Sequence, residues 1–201
     1  MRELGIGRVL VASLHQGIAD VLPTRLEFYE NWLNPEGLRQ GTIGLAPLAA
    51  VLSFLRMEGE AYLRVTDRAG SYAADWTFAA LSPVPRSIAH ALPVWLRGRV
   101  ALQLWRRMVR DAYFGSRAIV RLKRGEGSID IRPSIFCGVR ETFPHPLCGF
   151  YAAAVTRFLK LLKVSGGAQV AECRGTGAAR CLLAVTVDGG RDLEAEPLDV
   201  S

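Results

Sequence analysis

The sequence is poor in the side chains that most often carry chemistry. It has three histidines, His15, His90 and His145, and none is followed by a helical partner histidine or glutamate at ligand spacing. A lone histidine without such a partner is a weak candidate for a base or a metal ligand. The phosphate-binding loop of the Gly-x-x-x-x-Gly-Lys type is missing, as are the Gly-x-Ser-x-Gly elbow and the His-Glu-x-x-His pair. Gly175-Thr176-Gly177 is followed by a strand pattern rather than a helix, which excludes a dinucleotide fingerprint. Lysine is scarce, so the positive charge is carried by arginine; only Lys123, Lys160 and Lys163 occur. Long apolar runs are also missing. The uncharged stretch Gly41 to Leu55 contains Pro47 and falls short of the ~20 residues that a spanning helix needs. Glu3 and Arg8 interrupt any secretory apolar segment at the N-terminus, so a cytoplasmic protein without a membrane span is expected. In that compartment Cys137, Cys148, Cys173 and Cys181 read as thiols or metal ligands, not as disulfides.

What is present describes a folded chain. Half of the 201 residues are apolar, which is too many for a disordered segment. No linker or repeat divides them, so residues 1–190 read as one domain and the acidic residues 191–201 as a frayed tail. The mean hydropathy of +0.17 is high for a soluble monomer and leaves apolar surface for a pocket or a dimer seam. The net charge of +6 is concentrated. Between Arg97 and Arg124 nine basic residues stand against Asp111 alone. A solvated helix face continuing onto a strand edge accounts for this, with an anion-binding stripe as the functional alternative. No basic-aromatic repeat points to nucleic acid.

Periodicity gives a helical N-terminal two-thirds. Helices are predicted over 4–21, from an N-cap at Thr24 through Trp32, over 45–57 (apolar all round, hence buried) and over 60–80 with a break at Ala69-Gly70. A loop follows over 81–85. A short helix at 87–92 precedes a long amphipathic one at 94–113, with Trp95, Leu102, Trp105, Val109 and Phe114 inward. Asn34-Pro35-Glu36-Gly37 reads as a turn. The alternation in 118–123 and 128–132 predicts a hairpin turning at Gly125-Glu126-Gly127. A helix over 147–163, ended by Gly166-Gly167, leads to strands at 169–173 and 181–187. Helices, hairpin, helix, hairpin is an α+β order with an antiparallel sheet of about four strands.

The sharpest signal lies at the C-terminal end. Cys148-Gly149-Phe150 opens a helix, and Glu172-Cys173-Arg174-x-x-Gly177-x-x-x-Cys181 spans a hairpin turn. Thiolates are preferred ligands of structural zinc, and two cysteines flanking a tight turn can face one point. This pattern resembles the 4-vinyl-reductase-type domain, of the superfamily shared with TRAPP small subunits and haem-NO-binding sensors. It looks most like the end of the sensor domain in phenol-responsive bacterial transcription activators. The resemblance is specific over 147–187 and architectural elsewhere, with Arg25 to Trp32 fitting the helical half more loosely.

The resemblance implies an α+β domain that binds hydrophobic small molecules in an apolar pocket. It implies zinc at Cys148, Cys173 and Cys181, with a glutamate three residues before the second cysteine as fourth ligand. That position is Val170 here. Glu172, Cys137, His145 or water stands as its replacement, and small buried thiols without metal are the bland reading. Trp76, Trp95, Trp105 and Phe114 are the candidate pocket lining, although such a stripe is equally a plain core. The leading functional expectation is a hydrocarbon-binding sensor module, not an enzyme, that signals through a protein partner or a homodimer. The alternatives are a TRAPP-like dimeric scaffold without ligand, and an enzyme or accessory factor in tetrapyrrole (vinyl reductase) metabolism.

Overall fold

The computed structural model describes residues 6–33, 44–113 and 115–188. The predicted turn at 34–37, Phe114 and the tail 191–201 lie outside those residues. Among the described residues, seven α-helices accompany one four-stranded antiparallel sheet, so the fold is α+β, with the sheet in the C-terminal region.

Helix α1 (Arg8–Val21) buries Leu10, Val11, Leu14 and Ile18, the stripe its periodicity sets. It starts later than its pattern suggests because the segment before it is extended. Ile6 bridges Tyr113, and the Gly7 N–H donates to the Ala112 carbonyl at 3.0 Å. Thr24 lies inside a 3-10 turn, Pro23–Arg25, that leads directly into α2 (Leu26–Leu33), so it does not stand at the N-cap position of that helix. Helix α3 (Leu45–Arg56) is one-sided, not buried all round. Leu48, Val51, Leu52 and Leu55 face the core, whereas Phe54 packs outside against Phe28 and Trp32 of α2.

Helix α4 (Glu60–Ala79) runs unbroken through Ala69-Gly70. Gly70 serves a crossing instead of a break. A Cβ there would sit 2.2 Å from the Phe150 carbonyl oxygen, so only glycine lets α7 (Gly149–Leu161) come this close. Helix α5 (Pro83–Ala91) begins within the predicted loop, because proline suits the first helical turn. Helix α6 (Val94–Ala112) buries Leu102, Trp105 and Val109 as predicted. Trp95, two turns earlier at the same angle as Leu102, is 40% exposed, with Arg99 over its ring. How far a neighbouring element reaches along the helix decides burial there, not angle alone.

Strands β1 (Arg117–Lys123) and β2 (Glu126–Arg132) are joined by Arg124 and Gly125, at φ 52° and 82°. Two positive φ values match the twist of a two-residue hairpin and move the turn one residue ahead of the predicted one. β3 (Gly166–Glu172) and β4 (Cys181–Val187) complete the order β1-β2-β4-β3. Gly166-Gly167 opens β3 and does not end α7. Lys163, at φ 55°, takes the left-handed position after the helix. Helix α7 is the centre of the molecule. It packs on α4, α6 and β3, and its Phe150, Val155 and Phe158 share the core with Ile129, Leu183 and Val185 of the sheet.

Candidate metal centre

Four segments bring the cysteines to one point. The chain leaves β2, makes a 3-10 turn at Ile135–Cys137 and delivers Cys137. Cys148 caps α7, Cys173 follows β3, and Cys181 opens β4. β2 and β4 are neighbours in a register that sets Ile131 opposite Cys181, so the exit of β2 and the start of β4 coincide. The β3–β4 register shifts between Val170 and Glu172, a bulge next to the site.

The two site loops are locked to each other. The Phe143 N–H donates to the Gly175 carbonyl at 2.7 Å. A Cβ on Gly175 would lie 2.6 Å from the Leu147 side chain, so glycine lets the loops touch. The Thr176 and Ala178 N–H groups donate to the Cys173 carbonyl, and Gly177 at φ 92° turns the chain towards β4. Leu147 is held from both sides: its N–H donates to Cys173 Sγ at 3.3 Å, and its carbonyl accepts from the Tyr62 hydroxyl at 2.7 Å.

The Sγ of Cys148 lies 3.1 Å from those of Cys137 and Cys173, and Cys137 and Cys173 are 3.4 Å apart. All four sulfurs, Cys181 included, fall within 4.8 Å of one another. None forms a disulfide, and all four side chains are buried. A tetrahedral zinc–thiolate site, with Zn–S of about 2.3 Å, has sulfur–sulfur edges near 3.8 Å, so the cluster has the size of such a site.

The cluster's protons are shared unequally. Hydrogen bonds from Cys137, Cys148 and Cys181 hold the Cys173 thiol well below the usual range, helped by the Leu147 N–H. Cys181 is pulled down chiefly by Cys137 and Cys148. Cys148 is pushed far up by the sulfurs of Cys137, Cys173 and Cys181 and by burial. Cys137 also ends high: Cys148 pulls its thiol down, but Cys173, Cys181 and burial outweigh that. The four thiols thus compete for each other's hydrogen bonds, which raises two of them and lowers the other two. A divalent cation would replace the protons that the cluster holds, because four crowded thiolates need positive charge among them.

The fourth member is therefore Cys137, one of the replacements left open for the glutamate. Glu172 points away and pairs with Arg180 at 2.9 Å. His145 packs its ring near Tyr62 and Phe143. Val170 pairs with Leu183 and packs against the core, the ordinary role of an inward strand residue. Tyr62 stands in the helical register of 60–80, whereas periodicity did not single out Arg56. Arg56 is buried and donates to the Phe136 carbonyl at 3.0 Å, one residue from Cys137. Its signal was legible: Leu48, Leu52 and Arg56 stand four residues apart on one helical stripe.

The candidate pocket residues have separate environments. Trp76 is half-buried and stacks on Tyr72. Trp95 lies at the surface. Trp105 is fully buried, and its Nε1 donates to the Tyr151 carbonyl at 3.1 Å. A cavity of about 370 Å³ between α4 and α7 is lined by Asp67, Arg68, Asp75, Arg157 and Lys160, among others. A second, of about 550 Å³, is bordered by Asp20, Leu63, Arg64 and Arg68. Both linings are strongly charged, and none of the three tryptophans belongs to them. No family model matches this chain, and no curated protein does. Among the described residues no helix is long and apolar enough to cross a membrane.

Proposed function

We propose that this protein binds one zinc ion through Cys137, Cys148, Cys173 and Cys181, as the structural brace of a non-catalytic binding module of the 4-vinyl-reductase type. The carrying observation is the buried four-sulfur cluster, whose members come from four separate segments. A site closed by four protein ligands leaves no position for substrate or water, so its chemistry is that of a structural ion. Zinc suits the donor set, because soft thiolates in tetrahedral array select it over calcium or magnesium. The module's recognised molecule, in this reading, is a hydrophobic small molecule, and the signal leaves through a dimer or a protein partner. The C-terminal Cys-Gly-Phe and Glu-Cys-Arg pattern supports that part.

Native mass spectrometry of the purified protein tests both halves. One zinc per chain, lost in Cys148→Ser, together with a co-purifying apolar ligand, is the expected result. A metal-free chain with four free thiols would remove the zinc reading. A second reading, an interaction scaffold with a solid core, draws on a different observation. Trp105 fills the interior, while Phe28, Trp32 and Phe54 cluster on the outside, each more than 40% exposed. A ligand-free dimer in the same spectrum would favour it.

A further inference from the structure

Arg56 has the environment of a cation waiting for an anion. Only 6% of it is exposed, and its Nε is sealed from solvent without a hydrogen-bond partner. Its Nη2 donates to the Phe136 carbonyl, which is neutral. Among the described residues no carboxylate pairs with it. A buried, unpaired guanidinium is costly enough that proteins rarely keep one. Burial pulls its pKa down, and the neighbours that act against this are Tyr62 and Cys137. The metal centre has the opposite imbalance. Four thiolates around one divalent cation carry two negative charges into the core.

We propose that Arg56 is the counter-ion and positioning residue of the metal centre, so that metal occupancy fixes the seat of helix α3. This rests on the zinc reading. The guanidinium offsets the charge of the filled site, and its hydrogen bond to Phe136 holds the turn that delivers Cys137. Arg56 belongs to the helical layer, whereas all four cysteines belong to the sheet and its connections. It is thus a polar tie between the two layers at the site. When the ion leaves, the tie loses its charge partner and the end of α3 loosens.

The experiment compares zinc affinity, by competition with a colorimetric chelator, in the full chain and in Arg56→Met and Arg56→Lys. Methionine keeps the bulk and removes the charge, and should weaken binding roughly 10- to 100-fold, the usual range for groups just outside a metal's ligands. Lysine keeps the charge and should recover most of that loss, which a purely structural role would not produce. Alongside, hydrogen exchange of the unaltered protein should speed up over 45–56 when zinc is stripped. Equal affinities in all three proteins would overturn the inference and leave the zinc reading standing, and so would lysine binding no better than methionine. A wild-type chain that takes up no zinc would bring both down together. Should Arg56→Met fail to fold, unchanged exchange over 45–56 in the stripped wild type would still overturn it.

Discussion

At the scale of single residues, Cys137 carries the sharpest prediction. A structural zinc site is worth on the order of 12 kcal/mol in apparent binding, so one of four ligands is worth about 3 kcal/mol, or roughly 100-fold in affinity. Cys137→Ser is expected to lose about that much in a chelator competition, as are the equivalent changes at Cys148, Cys173 and Cys181. Val170→Glu separates this chain from the pattern it resembles. If Cys137 has taken over the fourth position, a glutamate at 170 lands in a half-buried strand against Leu183 and gains no ligand role. It should lower stability by roughly 1–3 kcal/mol through burial of a charge, with zinc affinity unimproved; denaturant melts and the same competition check it. Cys148, Cys173 and Cys181 were legible because the turn and the helix start are local features. Cys137 was legible only as one of several replacements for the fourth ligand, because its approach depends on the β2–β4 register, a pairing between residues about 50 apart in sequence.

At the scale of elements, the α4–α7 crossing decides how much change the core tolerates. Gly70→Ala would gain ~1 kcal/mol of helix propensity in an exposed helix. Here the new methyl would meet the Phe150 carbonyl at 2.2 Å, a backbone atom that cannot swing aside. Overpacking of that kind costs roughly 1–3 kcal/mol or more and outweighs the propensity gain. A net loss of several degrees in melting temperature is expected in a thermal scan. The same position shows what local patterns miss. Ala69-Gly70 reads as a break because glycine weakens isolated helices, while the packed neighbour that requires it lies about 80 residues away. Strand alternation and helix periodicity placed nearly every element, since both arise within a few residues. The ends were shifted where backbone conformation intervened, as at Arg124-Gly125 and Lys163.

At the scale of the whole molecule, metal uptake should be tied to pH. Hydrogen bonds among the four sulfurs raise the thiols of Cys137 and Cys148 and lower those of Cys173 and Cys181. Zinc must displace whatever protons the raised thiols hold, so its affinity falls as pH falls, by about tenfold per pH unit for each proton displaced. Calorimetry near neutral pH in two buffers of different ionisation enthalpy should report fewer protons released per ion than the roughly four that unperturbed thiols would release. The basic stripe is a surface property at this scale. Arg106, Arg107 and Arg110 are exposed along α6, with Asp111 close to the last two. The class, the helical N-terminal part and the four strands were all readable in the order of the patterns. Which helix face lacked a neighbour was not, because that depends on where the layers end, as with Phe54 and Trp95.

The four cysteines also set an order of events in time. No two of them share a strand or a helix, and the nearest pair in sequence, Cys173 and Cys181, is separated by a complete turn. An ion bound there would therefore meet its full set of ligands only after β2 has found β4 and α7 has docked. Pairings across such distances are the slow ones, because their loops must close before any contact rewards them. In the zinc reading, capture of the metal would close the assembly of this chain, and a nascent copy that has not yet paired β2 with β4 would present thiols to its surroundings in place of a finished site.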